Sequence, residues 1–392
     1  MPSKSNDTFR RLGTVLLLGV VAGAGARYLI ARANRAATPK STRMIDWQQA
    51  RSIALQVSQW EQASIPDRAA RREQYMRMVE QSEPLIAEYM GVRLPQPMNR
   101  VFVVDRRDWL LANFNSFEHL FAPIEELYTK ISARQGVIGH AVGDLNSKII
   151  GVQMGALWGF LARRVMGQYD LSLLSPDPEV QGTLYFVEPN IARVQKQLGL
   201  SDEDFRLWIT LHECTHVFEF EAFPWVRQYF NDLLREFLGS VSDQMASLGV
   251  GIGQLASRLL RGQSNDSHWI ENMLSPEQQR VFDKMQALMS LVEGYSNHIM
   301  NAIGEQLLPS FKQIEQRIHQ RQQNRSLLEE LFNRITGMDL KLAQYQQGEA
   351  FVNAVADERG VVFLNQVWER PENLPTMAEI RNPQLWISRM SG

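Results

Sequence analysis

The sequence has a single cysteine and a net charge close to zero, and both limit the kind of protein that it can encode. One cysteine among 392 residues excludes a disulfide bond within the chain. The net charge is −2, but residues 1–43 hold eight basic residues against one aspartate, which leaves 33 basic and 42 acidic residues in the remainder. A body with a net charge of about −9 argues against nucleic acid as a partner. With 44% hydrophobic residues, the chain can still bury a substantial core.

An apolar stretch follows the first basic residues of the chain. Residues 12–31 are long enough to cross a bilayer if Arg27 extends its charge to the interface, so we expect a single-pass N-terminal membrane anchor. More basic residues follow the stretch than precede it, which weakly favours a body on the cytoplasmic side. Small residues at 22–26 resemble a signal-peptidase site, so secretion after cleavage is an alternative, as is a helix docked on the body. The expected organisation is a basic tail, 1–43, and a folded body, 44–392.

The most informative stretch is residues 208–218, which read WITLHECTHVF. His212 and His216 are four residues apart, so on a helix both imidazoles face one side and can bind one zinc ion. Glu213 directly follows His212 on the helix, and its carboxylate can reach water bound to that ion. Ser201, followed by three acidic residues, predicts the start of such a helix. An HExxH pattern arises by chance in roughly one chain in a hundred of this length, so a metal site is favoured over two unrelated histidines.

A catalytic zinc site needs a third protein ligand and an open position. Glu219 follows on the same stripe, but on a continuous helix it lies roughly 10 Å along the axis from His212, which favours an indirect role. Glu293 closes the apolar run at residues 285–292, where a buried carboxylate requires a positive partner such as zinc. We therefore expect Glu293 as the third ligand. Cys214 faces the opposite side of the helix and is expected in the core.

Three segments carry a resemblance to a known family. They read HECTHVFEF, EGYSNHIM and, near the C terminus, FLNQVWERPENLPTMAEIRNPQLWISRM. Over residues 47–390 the chain resembles the zincin-like metallopeptidases, some of which are labelled deazaflavin-coenzyme biosynthesis-associated proteins or hydrolases. The resemblance implies a mainly helical zincin-like fold with a few short strands and Zn²⁺ as cofactor. It also implies His212 and His216 as ligands, Glu213 as catalytic base and Glu293 as third ligand.

The expected function is zinc-dependent hydrolysis of an amide bond in a peptide or another amide substrate. Glu213 would take a proton from zinc-bound water and deliver it to the leaving amine. Tyr295, His298 and His268 are candidates to stabilise the transition state, and Asn297 could orient a ligand histidine. The alternative is a non-catalytic, membrane-linked helical scaffold with a structural metal or none. Glu213 favours the enzyme, because a purely structural site needs no carboxylate beside its first ligand.

Secondary structure is predicted to be mainly α-helical, with short strands at residues 100–104, 183–187 and, more weakly, 361–364. The strand at 183–187 precedes the motif helix, so we expect it to line the cleft and to bind an extended peptide along its edge. Three glycines recur at helical spacing, which predicts close packing of two helices: Gly151, Gly155 and Gly159.

Overall fold

The structure is a computed structural model, and it describes residues 43–62, 64–132, 137–170, 182–248, 274–323 and 338–392. These residues form a mainly helical protein with one small three-stranded sheet. The predicted fold class is therefore confirmed. Residues 1–42 lie outside the described part, as does His268.

The first half of the chain supplies four helices and the sheet. The helices are α1 (Trp47–Ser58), α2 (Arg68–Met90), α3 (Arg106–Ser132) and α4 (Val137–Ala162). The strands are β1 (Val101–Val104), β2 (Gly167–Asp170) and β3 (Thr183–Val187). The predicted strands at 100–104 and 183–187 are thus confirmed, whereas β2 was not predicted from the sequence.

The second half is almost entirely helical. Its longer helices are α5 (Glu188–Leu198), α6 (Asp202–Val217), α7 (Pro224–Leu248), α8 (Pro276–Leu307), α9 (Phe311–Gln323) and α10 (Met338–Arg359). One π-helical turn, Phe218–Ala222, joins α6 to α7. The C-terminal segment contains α11 (Val361–Leu364), two 3₁₀ turns (Asn365–Trp368 and Pro371–Asn373), α12 (Met377–Arg381) and α13 (Pro383–Ser391).

The strand order in the sheet is β1-β3-β2, with β1 parallel and β2 antiparallel to β3. Because β3 is the central strand, both of its edges are already paired. The prediction that residues 183–187 bind a peptide along a free edge is therefore wrong. The prediction of a strand at 361–364 is also wrong, because Gly360, with φ of 82°, ends α10 and the β-branched residues that follow begin α11.

Apolar cores cover both faces of the sheet. Leu184 and Phe186 of β3 face a large core built with α2, α6, α8, α10 and the C-terminal segment. Tyr185 and Val187 face a smaller core built with α1, α3 and α4. Close packing of α1 on α4 is confirmed, because a methyl group on Gly155 would lie 2.5 Å from the carbonyl oxygen of Ala50. The large core is shared by the sheet and the motif helix α6.

The predicted membrane anchor and membrane-associated location have to be corrected. Across the described part of the chain, no helix combines the length and the apolar character that crossing a bilayer requires. Residues 12–31, where the anchor was expected, lie outside that part. The single-pass anchor is therefore unsupported.

Candidate metal centre

Helix α6 presents the HExxH residues as its sequence predicted. The Ser201 hydroxyl accepts a hydrogen bond from the backbone N–H of Asp204, and three acidic residues occupy the first turn, where the helix dipole stabilises them. Four residues apart on this helix, the rings of His212 and His216 lie with centroids 4.7 Å apart and planes at 81°. Both imidazoles therefore face the same side of α6.

Helix α8 brings Glu293 to the two histidines. A capping box formed by Ser275 and Gln278 starts this helix. The Oε2 atom of Glu293 lies 3.6 Å from Nε2 of His212. One ligand atom from each of His212, His216 and Glu293 falls within 4.8 Å of the other two. The three residues are partly exposed, so the cluster opens to solvent.

The second nitrogen of His216 is held by a buried carboxylate and a serine. Nδ1 of His216 lies 2.8 Å from Oε2 of Glu219 and 3.1 Å from Oγ of Ser296. The Ser296 hydroxyl also donates to Glu219 across 3.2 Å. These contacts leave Nε2 of His216 free to bind a metal. Sequence reasoning missed Ser296, although its position three residues after Glu293 on α8 could have indicated it.

Burial and neighbouring charges shift the pKa values of His216, Glu219 and Glu213. Burial acts to lower the pKa of His216, but the hydrogen bond and the charge of Glu219 outweigh it and raise that pKa to about 9. Burial raises the pKa of Glu219 to about 7 against the opposing effect of His216. Burial likewise raises the pKa of Glu213, again opposed by the histidines.

Glu213 lies against strand β2. Burial raises the pKa of its carboxyl, and the nearby backbone of Tyr169 acts in the opposite direction. Gly167 is so close that a methyl group on it would lie 2.3 Å from Oε1 of Glu213. Glu213 is itself 7% exposed. The proposed base is therefore enclosed by a strand that the sequence did not predict.

Tyr295 and His298, which the sequence suggested for transition-state stabilisation, have their polar atoms engaged elsewhere. The hydroxyl of buried Tyr295 donates to Oδ1 of Asn365 across 2.5 Å, and burial raises its pKa. Nε2 of His298 lies 2.7 Å from the Tyr89 hydroxyl, and Nδ1 lies 2.6 Å from Oδ1 of Asn353. The structure thus does not direct either side chain to the histidine cluster.

Asn297 and Cys214 also lie apart from the cluster. The amide of Asn297 donates to Glu349 across 3.3 Å, and we find no hydrogen bond from it to either histidine within the described ranges. Cys214 is fully buried, and burial raises the pKa of its thiol well above the usual value. A thiol that stays protonated is a poor metal ligand. This placement agrees with its expected position in the core.

The donor set fits zinc. Two imidazole nitrogens and one carboxylate oxygen are a known catalytic zinc combination, and three protein ligands leave one coordination position open. The Glu219 carboxylate contacts Nδ1 of His216, and such a contact fixes the tautomer of a histidine that binds zinc through Nε2. These features favour zinc over calcium or magnesium, which prefer oxygen ligands throughout.

Comparisons with known proteins agree with this geometry. A sequence model described as "Zincin-like metallopeptidase" matches residues 45–387. A crystal structure of "a putative hydrolase with a novel fold" from Chloroflexus aurantiacus is 58% identical, with a TM-score of 0.67 over 88% of this chain and 99% of that one. No curated protein matches the chain. The family indicates a metal-dependent hydrolase whose metal is typically zinc. The chain belongs to the zincin-like metallopeptidase family.

Proposed function

We propose that the protein is a zinc-dependent metallopeptidase that hydrolyses amide bonds at the cluster of His212, His216 and Glu293. The observation that carries this proposal is the approach of one ligand atom from each of these residues to within 4.8 Å of the others, with Glu213 beside them. A carboxylate adjacent to the first histidine is what a hydrolytic site requires and a purely structural site does not.

Each residue has a separate role in the proposed reaction. The two histidines and Glu293 hold the metal, and Glu219 with Ser296 orients His216. A bound zinc ion supplies a Lewis acid and lowers the pKa of water. Glu213 accepts a proton from the attacking water and delivers it to the leaving amine nitrogen.

The competing function is a non-catalytic helical scaffold in which a metal only braces α6 against α8. Closed structural zinc sites are rich in cysteine, whereas the single cysteine of this chain is buried and protonated. The partial exposure of the three ligands also favours a site that a substrate can reach.

Metal content of the full-length protein tests the site. We expect near-stoichiometric zinc by elemental mass spectrometry in the wild type and in Glu213→Gln, and loss of zinc in His216→Ala and Glu293→Ala. His119→Ala is the matched control, since His119 is an exposed histidine on α3 that bonds only its own helix in the part described here. Well-folded wild-type protein that takes up no zinc would overturn the proposal.

Peptide cleavage tests the reaction. A library of quenched-fluorescent peptides should be cleaved by the zinc-loaded wild type, and 1,10-phenanthroline should abolish the signal until zinc is restored. Glu213→Gln should keep its zinc and lose at least 100-fold in kcat, because proton transfer of this kind contributes about 10²–10⁴-fold. Equal activity in the two proteins would show that Glu213 is not the base, and a zinc-loaded wild type that cleaves no peptide favours the scaffold or a non-peptide amide.

A further inference from the structure

We infer that Gly167 is a positioning residue for Glu213: strand β2 carries a glycine there so that its edge can support the carboxylate of the base. The inference rests on the proposed function, because it assigns Gly167 a part in the same reaction. Gly167 is not part of the HExxH segment and is not one of the proposed metal ligands.

The strand pairing directs this edge of β2 towards α6. The backbone N–H of Val187 donates to the carbonyl of Met166 across 2.8 Å, so these two residues form a hydrogen-bonded pair of the antiparallel ladder. Pairs alternate along such a ladder, and Gly167 and Tyr169 therefore point their N–H and C=O groups away from β3. Glu213 lies beside Gly167, and the backbone of Tyr169 acts to lower the pKa of its carboxyl.

Position 167 requires a glycine because a side chain has no room there, and not because of the backbone conformation. The residues with positive φ in the described ranges do not include Gly167. A methyl group on it would instead lie 2.3, 2.5 and 2.6 Å from Oε1, Cδ and Cγ of Glu213. All three distances are below 3.0 Å, so one of the two residues has to move. Any side chain at position 167 therefore competes with the carboxylate for the same volume.

The strand is the less movable partner. The Tyr169 hydroxyl bonds to Glu221, and Arg227 donates to that hydroxyl across 3.0 Å and also pairs with Glu221. Glu221 accepts the backbone N–H of Gly182 across 2.9 Å as well. These bonds tie β2 to the π turn and to α7. An alanine at position 167 should therefore displace the end of Glu213 and leave the strand in place.

Displacement of the base affects chemistry more than binding. Relief of a 2.3 Å contact requires a shift of about 1 Å, and a shift of that size in a catalytic group can cost about 100-fold in rate. The three atoms nearest to a methyl group at position 167 all belong to Glu213, and His216 is held by Glu219 and Ser296, so we expect the ligands to keep their contacts. The expected result of Gly167→Ala is thus a lower kcat with unchanged zinc content and with KM within twofold of the wild type.

A double-mutant cycle in the full-length, zinc-loaded protein tests the inference. Gly167→Ala should lower kcat on a quenched-fluorescent peptide by 10- to 100-fold, but by less than threefold in a Glu213→Asp background, where the shorter side chain leaves room for the methyl group. Gly239→Ala is the control, because a methyl group there has no atom within 4 Å. Equal losses in the two backgrounds would overturn the inference.

A second measurement does not depend on activity. A crystal structure of zinc-loaded Gly167→Ala should show the Glu213 carboxylate moved by about 1 Å, with His212, His216 and Glu293 in place. An unmoved carboxylate with a shifted β2 would overturn the inference. A wild type that binds zinc and cleaves nothing would count against the proposed function, and the position of Glu213 in the variant would still decide the role of Gly167.

Discussion

Oε2 of Glu219 lies 2.8 Å from Nδ1 of His216, three residues earlier in the chain. The Glu219 side chain is fully buried. In the neutral form of His216 that binds a metal, the contact favours the tautomer in which Nδ1 donates to Glu219 and Nε2 faces the metal site. Ser296 of α8 donates to the other carboxylate oxygen and fixes its orientation. A buried charge next to a ligand therefore has a direct bearing on metal affinity.

We predict that Glu219→Gln weakens zinc binding by about tenfold and Glu219→Ala by up to about 100-fold. Glutamine keeps the shape and an acceptor for His216 but removes the charge that makes the imidazole a stronger ligand. Competition with a chromophoric chelator measures the change. Glu305→Gln is the control, because Glu305 is an exposed carboxylate of α8. Wild-type affinity in both Glu219 variants would show that the contact does not support the ligand.

The sequence was sufficient to predict the motif helix and the three residues that cluster beside it. Ser201 and the acidic first turn fix where α6 begins, and the helical period then decides that His212 and His216 share a face. Glu293 was predictable because a carboxylate that ends an apolar run requires a partner. Each of these features is local, and local patterns determine short-range geometry.

The support of the base could not be predicted in the same way. Gly167 has no side chain from which a pattern could be read, and its role arises from the approach of β2 to α6. Strand β2 is four residues long, and its sequence, GQYD, lacks the β-branched alternation that marks a strand. The contact of Tyr295 with Asn365 could not be predicted for a similar reason, because nearness in sequence to Glu293 does not determine which way a side chain points.

Tyr295→Phe should leave kcat unchanged and lower the free energy of unfolding by about 1–2 kcal/mol. The hydroxyl donates to Oδ1 of Asn365, whose amide in turn donates to the carbonyl of Met90, so the substitution leaves a partly buried acceptor without this donor. Denaturant unfolding and peptide cleavage measure the two effects. A tenfold fall in kcat with unchanged stability would instead mark Tyr295 as an oxyanion donor.

Arg227→Met should lower the free energy of unfolding by about 2 kcal/mol, because it leaves the partly buried carboxylate of Glu221 without its cation. Arg235→Met is the matched control on the same helix. Arg235 pairs with Asp232 in a bridge whose side chains are both more than half exposed, so its loss should cost less than about 0.5 kcal/mol. Equal costs for the two variants would show that the Glu221 ion pair adds nothing beyond a surface bridge.

The C-terminal segment should lose stability in acid through Glu379. Burial acts to raise the pKa of this carboxyl, but hydrogen bonds from Arg389 and from Thr376 outweigh it and lower the pKa below its ordinary value of 4.5. A carboxyl whose pKa is lower in the folded state stabilises that state above the unfolded pKa, and the contribution disappears as the pH falls through the folded pKa. Glu379→Gln should therefore be less stable than the wild type at pH 7. The difference in chemical-denaturation midpoint should shrink below about pH 4.5 and vanish once the carboxyl is protonated, whereas a difference that stays constant to pH 2 would show that packing, and not charge, makes Glu379 important.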